Sequence, residues 1–344
     1  MLSYNGPWRL DPENRTDPVP GEDEVLIKVL ATGLCGSDIH GFTGSTGRRT
    51  AGQIMGHETA GTVVELGENV TGLEIDDLVA IYPIVACNDC ELCHAGAQEV
   101  CESKRVIGVD PSLPGSLSEL MVVPGRNVVR LNPAISPLHG ALVEPLAVGY
   151  HAVTRLAPVT GDRLLILGGG PIGQACAIGA ARSGIDHIVV SEPSAERRAI
   201  VESLGFRATD PADLDRAIAD ELGGPPNAVV DAVGVSETLR DALTHSAPLA
   251  RIVLVGMGSP EVSVDSYAIS AGEKTVIGSY TSSERTFRDT AEWVSAGRPE
   301  LDRMIGDLVD LDSTAVALTA LADGTSRSNK TIVVVSADPT PELR

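Results

Sequence analysis

Residues 163–193 read RLLILGGGPIGQACAIGAARSGIDHIVVSEP: an apolar run, a glycine-rich turn, a helical stretch and a second apolar run. Gly-x-Gly-x-x-Gly arises often by chance, and what gives it meaning here is that it follows a strand directly and opens a helix. Gly168 permits the tight turn, Gly170 lets the backbone approach a pyrophosphate, and Gly173 allows helix and strand to pack closely. The helix start, with Pro171 and Ile172, offers free N–H groups to phosphate oxygens. Glu192 closes the second run, where a carboxylate can accept hydrogen bonds from both adenosine ribose hydroxyls and repel a 2′-phosphate, so NAD is expected over NADP. Arg197 and Arg198 nearby could serve an extra phosphate or lie on the exposed face of the next helix.

Outward from this stretch, strands expected at 164–167 and 188–190 alternate with a helix at 175–183. NAVVDAVG (227–234), a helix at 237–243 and RIVLVGMG (251–258) continue the alternation, and Val233 and Gly256 are placed with the cofactor residues. Strands alternating with helices imply a parallel, doubly wound α/β sheet. Before residue 150 the pattern differs. EVLIKVLATG (24–33), GTVVELG (61–67), LVAIYP (78–83) and LSELMVVP (117–124) are β-type segments without intervening helices, which suggests an antiparallel, barrel-like domain. KTIVVVSA (330–337) reads as a return of the chain to it. The expected division is 1–149 with 285–344 for the β-rich domain and 150–284 for the nucleotide domain, with the active site in the cleft between and a loose tail at 338–344.

Forty-seven acidic against twenty-six basic side chains give a formal charge of -21, which opposes binding to a phosphate backbone or an anionic membrane. No nucleic acid or membrane partner is expected. The first residues lack the basic and apolar regions of a signal peptide, and no apolar run approaches the length of a bilayer span, so a cytoplasmic protein is expected. In that compartment six cysteines point to metal or catalysis rather than disulfides.

Four of the six lie in CNDCELCHAGAQEVC (87–101), as Cys87, Cys90, Cys93 and Cys101. Four thiolates on one short loop can surround a tetrahedral Zn2+ with no position left open, the pattern of a structural site. The redox alternative for a Cys-x-x-Cys pair requires a strand-to-helix junction that the surroundings do not suggest.

Elsewhere stand GLCGSDIH (33–40), with Cys35, Ser37, Asp38 and His40, and GQIMGHETAG (52–61), with His57 and Glu58 adjacent. Cys35, His57 and an acidic group would give zinc sulfur, nitrogen and oxygen ligands with room for water, the pattern of a catalytic site. With EPLAVGYHA (144–152), GGGPIG (168–173) and DAVG (231–234), these motifs stand in the order found in the zinc-dependent medium-chain dehydrogenases, which the chain resembles over nearly its whole length. Within that family it is most similar to the sorbitol, butanediol and polyol dehydrogenases.

The resemblance implies a Rossmann domain beside a GroES-like catalytic domain, two zinc ions per chain, one catalytic and one structural, and a homotetramer or homodimer. It implies that Cys35 and His57 bind the catalytic zinc with Glu58 or Glu144, the choice being open. Either acid could instead be structural, Glu58 bracing His57 and Glu144 preceding a proline turn. Ser37 would pass the alcohol proton on and His40 would deliver it to solvent, or pack against the ribose; Asp38 would brace its loop. The metal would ease loss of that proton, and a hydride would leave the substrate carbon for the nicotinamide. The expected reaction is oxidation of a secondary alcohol or polyol to a ketone. Two departures bear on substrate. Gly41 stands where an aromatic residue is frequent, implying a wider pocket, and Arg48 and Arg49 lie on a Gly-rich loop, where they could bind an anionic substrate such as a polyol phosphate or hydroxy acid, or be solvated. The remaining alternative is a non-catalytic nucleotide-binding zinc protein.

Overall fold

A computed structural model describes residues 1–326 and 328–336; the expected loose tail at 338–344 and the end of the segment 330–337 lie outside them. The chain divides into two compact units, Met1–Glu144 with Ser283–Arg344, and Pro145–Ser282. The divide falls five residues before the expected 149/150 and two before 284/285. The first difference has a physical reason: the helix Val143–Arg155 contributes Ala152 and Val153 to the core of the second unit, so its body belongs there.

In the second unit six parallel strands stand in the order Arg207–Thr209, His187–Ser191, Arg163–Leu167, Ala228–Asp231, Arg251–Leu254, Thr275–Gly278. In chain order this is 3-2-1-4-5-6, the dinucleotide-binding arrangement, whose ligand crevice lies at the carboxyl ends where the order reverses. Arg163–Leu167 is central and buried on both faces: Leu164 and Ile166 join one apolar cluster, Leu165 and Leu167 the other. That burial explains an uninterrupted apolar run without alternation. The helix Pro171–Arg182 begins four residues before the expected 175, with Gly170 as its cap and Pro171 in the first position, where proline loses no hydrogen bond.

In the first unit, Ile305–Val309, Lys330–Val334, Glu24–Gly33, Glu58–Leu66, Leu78–Ile81 and Val128–Arg130 are successive neighbours, and Leu120–Pro124 pairs with Glu24–Gly33. All pairings are antiparallel except that of Ile305–Val309 with Lys330–Val334. Val25, Ile27 and Val29 alternate into a core with Val63, Val79, Ile81 and Met121. Two registers matter below: Gly33 faces Glu58, and Ile332 faces Gly33 from the other side. Among the described residues no helix is long and apolar enough to cross a membrane.

Candidate active site

The strand Glu24–Gly33 runs out through Leu34 into Cys35, which caps the helix Gly36–Thr43. The neighbouring strand begins at Glu58, directly after His57. Because Gly33 pairs with Glu58, the two motifs that are distant in sequence meet at one sheet end. Cys35, His57 and Glu58 each offer a donor atom, and these atoms all lie within 4.8 Å of one another.

The donor set, sulfur, imidazole nitrogen and carboxylate oxygen, is one that zinc accepts. His57 and Glu58 are buried, and Glu58 Oε2 has no hydrogen-bond partner among the described residues. Its other oxygen, Oε1, is held by Lys330 Nζ at 2.5 Å, and the same ammonium donates to the Leu34 carbonyl at 3.1 Å. A Cβ on Gly33 would stand 1.9 Å from Glu58 Oε2, so only glycine leaves this carboxylate its place. Burial alone disfavours a charged His57, yet Asp38, Cys35 and Glu144 outweigh it and push the imidazole up to about 10. The surroundings thus favour positive charge at this point, which a metal cation would supply. These observations fit a zinc ion.

Glu144 opens the helix Val143–Arg155 and is buried. Burial raises its carboxyl to about 7, opposed by His57 and reinforced by Glu58. It lies within electrostatic reach of the cluster but is not among the residues whose donor atoms gather there. Asp38 is wholly buried; its Oδ2 accepts the Cys35 N–H at 3.2 Å, and its Oδ1 lies 3.7 Å from His57 Nδ1. Ser37 and His40 are exposed and three residues apart on one helix, a spacing that puts them on one face.

The two arginines part company. Arg48 is exposed, whereas the Arg49 side chain is only 3% exposed and lies across Gly41, where a Cβ would stand 2.8 Å from Arg49 Nε. The space opened by Gly41 is therefore filled from within the chain instead of widening a pocket, and Arg49 is not a solvated loop residue. Lys330 carried no readable signal, since its role depends on a partner 272 residues away, and Arg49 was read as a loop cation, for an anionic substrate or for solvent.

In the cysteine loop the Sγ separations are 3.8 Å for Cys87 and Cys93, 3.9 Å for Cys90 and Cys101, and 3.5 Å for Cys101 and Cys87. Sulfurs at about 2.3 Å from a tetrahedral zinc stand about 3.8 Å apart, so the spacing suits a closed site of four thiolates. Backbone hydrogen bonding at Asp89, then the Cys101 thiol, lowers the Cys87 thiol to about 6, toward the thiolate a metal requires.

At the carboxyl ends of the parallel strands, Gly168 has φ +96°, and a Cβ on Gly173 would meet the Gly168 carbonyl oxygen at 1.8 Å. Nothing lies within 4 Å of a Cβ built on Gly170, the helix cap. Glu192 accepts from Gly169 N at 2.8 Å and Ser194 N at 2.9 Å, one bond to each carboxylate oxygen. Each oxygen keeps a second lone pair for a ribose hydroxyl. Asp231 accepts from Val233 N and Gly234 N, which fixes that loop beside Gly256. Arg197 is exposed, while Arg198 Nη1 is tied to the carbonyls of Glu192 and Pro193 and to Asp210.

Comparison with known proteins adds to this geometry. Residues 21–133 match the alcohol dehydrogenase GroES-like domain, and residues 171–296 match the zinc-binding dehydrogenase family. The chain is 32% identical over 308 residues to the L-galactonate-5-dehydrogenase of Escherichia coli strain K12, covering 89% of this chain and 90% of that one. It is 31% identical over 319 residues to the sorbitol dehydrogenase of Bombyx mori, covering 89% and 91%. Among solved structures, 2R,3R-butanediol dehydrogenase from Bacillus subtilis is similar with a TM-score of 0.87 and 28% identity, over 97% of this chain and 99% of that one.

Proposed function

The chain belongs to the zinc-dependent medium-chain alcohol and polyol dehydrogenases, and from that premise we propose that it transfers a hydride from a secondary alcohol or polyol to NAD, giving a ketone. The observation that carries this reading is the gathering of Cys35, His57 and Glu58, with a buried Glu58 oxygen free to bind. Zinc held by these three would act as a Lewis acid on the substrate oxygen and ease loss of its proton. Glu58 is the third ligand in this proposal, its remaining oxygen anchored by Lys330. Glu144, with its raised carboxyl, can hold a proton beside the site. Ser37 and His40, on one exposed helix face, carry the substrate proton toward solvent. Cys87, Cys90, Cys93 and Cys101 hold a second, structural zinc.

NAD is assigned over NADP because Glu192 is buried and has unused lone pairs on both oxygens. Of the two nearby arginines, Arg198 is occupied by backbone carbonyls and Asp210, and Arg197 is exposed. Glu192→Ala is expected to raise the KM for NAD at least tenfold, since hydrogen bonds to a charged group are worth about 1.5–3 kcal/mol each, and to narrow the gap between NAD and NADP. Steady-state kinetics with both cofactors measure this; a wild-type preference for NADP would overturn the assignment.

A panel of diols, polyols, cyclitols, polyol phosphates and hydroxy acids, scored by reduced-cofactor formation, tests the reaction itself. Hydroxy acids belong in it because one relative is named for L-galactonate and Arg48 is exposed. Absence of turnover across the panel, with both metal sites filled, would favour the non-catalytic alternative.

The protein is further proposed to be a homo-oligomer. Thr275–Gly278 is an edge strand, and Val276 within it and Tyr280 just after it are more than a third exposed. An edge with unpaired backbone and apolar neighbours is a surface that a second copy can cover. A cytoplasmic location is proposed because all six cysteines are free, which suits a reducing compartment.

A further inference from the structure

We infer that Arg49 is a positioning residue for the metal-binding histidine: its guanidinium, occupying the room left by Gly41, holds Asp38 against the outer nitrogen of His57. The inference rests on the reading of Cys35, His57 and Glu58 as a zinc site.

Three features are locally unfavourable, and all converge on one atom. Glycine is among the poorest residues inside a helix, yet Gly41 lies within Gly36–Thr43. Any side chain there would collide with Arg49, whose Nε, Cγ and Cζ lie 2.8, 3.0 and 3.1 Å from a Cβ at that position. Next, Arg49 is a cation whose side chain is almost fully buried, and its Nε has no hydrogen-bond partner. Such burial is costly, and among the described residues the carboxylate paired with the guanidinium is that of Asp38, with Oδ1 at 3.9 Å from Nη2. Lastly, Asp38 is itself fully buried, and Oδ1 has no hydrogen-bond partner.

That same Oδ1 lies 3.7 Å from His57 Nδ1, which is likewise buried without a partner. Asp38 Oδ2 meanwhile accepts the backbone N–H of Cys35. The carboxylate therefore lies against His57 through Oδ1 and holds the backbone of Cys35 through Oδ2, and Arg49 Nη2 approaches the same Oδ1. A histidine that binds a metal through one nitrogen needs the other oriented by an acceptor, and loss of such a partner weakens metal binding by about 10–100-fold. Arg49 fixes where that acceptor stands. Its second contact, a 3.5 Å approach of Nη2 to the Ser37 carbonyl, draws it along the same helix. Local rules broken together at one point are the mark of a functional demand rather than of stability.

The test is chelator competition on the full-length protein, measuring zinc per chain and thermal stability for wild type, Arg49→Met, Arg49→Lys and Gly41→Ala. Arg49→Met is expected to lower affinity for one of the two zinc ions by about 10–100-fold, with the cysteine-held zinc unchanged as an internal control. Arg49→Lys should recover part of the loss, and Gly41→Ala should reproduce part of it by displacing the guanidinium. Cobalt substitution provides a second readout, with a changed visible spectrum expected at the weakened site. Folded Arg49→Met that keeps both zinc ions at wild-type affinity overturns the inference; if Arg49→Met does not fold, wild-type affinity in both Arg49→Lys and Gly41→Ala does so. A wild type that binds only the cysteine-held zinc would instead remove the metal-site reading itself.

Discussion

Replacing His57 with alanine is expected to leave one zinc per chain in place of two and to lower kcat/KM by about a thousandfold or more, with little change in thermal stability. The magnitude follows from the several kcal/mol that a metal Lewis acid contributes to the transition state, at about 1.4 kcal/mol for each factor of ten. The metal is lost because Cys35 and Glu58 remain as two donors, and Glu58 already shares its charge with Lys330. Truncation also leaves Asp38 Oδ1 facing a cavity, so zinc is not replaced by a compensating contact. Stability is largely kept because His57 stands at the end of a strand whose pairing starts at Glu58 and whose core residues lie further along, at Ala60 and Val63. Metal analysis beside steady-state kinetics measures both parts. Two zinc ions retained with normal turnover would mean that the catalytic metal lies elsewhere.

The features legible in the sequence were those whose causes are local. EVLIKVLATG coincides with the observed Glu24–Gly33 because an almost wholly buried run with β-branched residues marks a strand without outside help. The cysteine loop was readable for the same reason, its four ligands lying within fifteen positions. Arg207–Thr209 and Thr275–Gly278 were not read as strands: one is three residues long, and the other is an exposed edge, so neither carries a periodic apolar signal. Cys35 and His57 were placed together by motif, and register explains it, since Gly33 pairs with Glu58. Lys330 is the contrary case. It is 272 residues from Glu58, and only the pairing of Lys330–Val334 with Glu24–Gly33 brings it to the carboxylate. Arg49 looked like a loop cation because nothing in GSTGRRTAG reveals that Gly41 makes room for it. Contacts set by sheet order and by missing side chains are invisible to a reading that moves along the chain.

Cys93→Ser is expected to give the opposite pattern from His57→Ala: a fall in the melting temperature on the order of 10 °C or more, with kcat/KM unchanged in the fraction that stays folded. The loop holding the four cysteines has little apolar core of its own. Its buried cluster consists of Ala86, Cys93 and Cys101, with Cys90 half-buried against them. A lobe of that kind relies on metal for cohesion, and structural zinc contributes about 10–16 kcal/mol in small zinc-dependent peptides. Losing one thiolate of four forfeits a part of that. Even several kcal/mol moves the midpoint by tens of degrees at most, at about 2–4 °C per kcal/mol for a domain of this size. The chemistry should persist because a metal held by four sulfurs that all lie within 4.8 Å of one another would have no open position for a substrate oxygen. Thermal denaturation with turnover measured below the transition separates the two effects. A Cys93→Ser protein that is stable but inactive would assign the chemistry to the loop, and His57→Ala would then be expected to retain it. The two variants together decide which metal reacts and which one holds the fold.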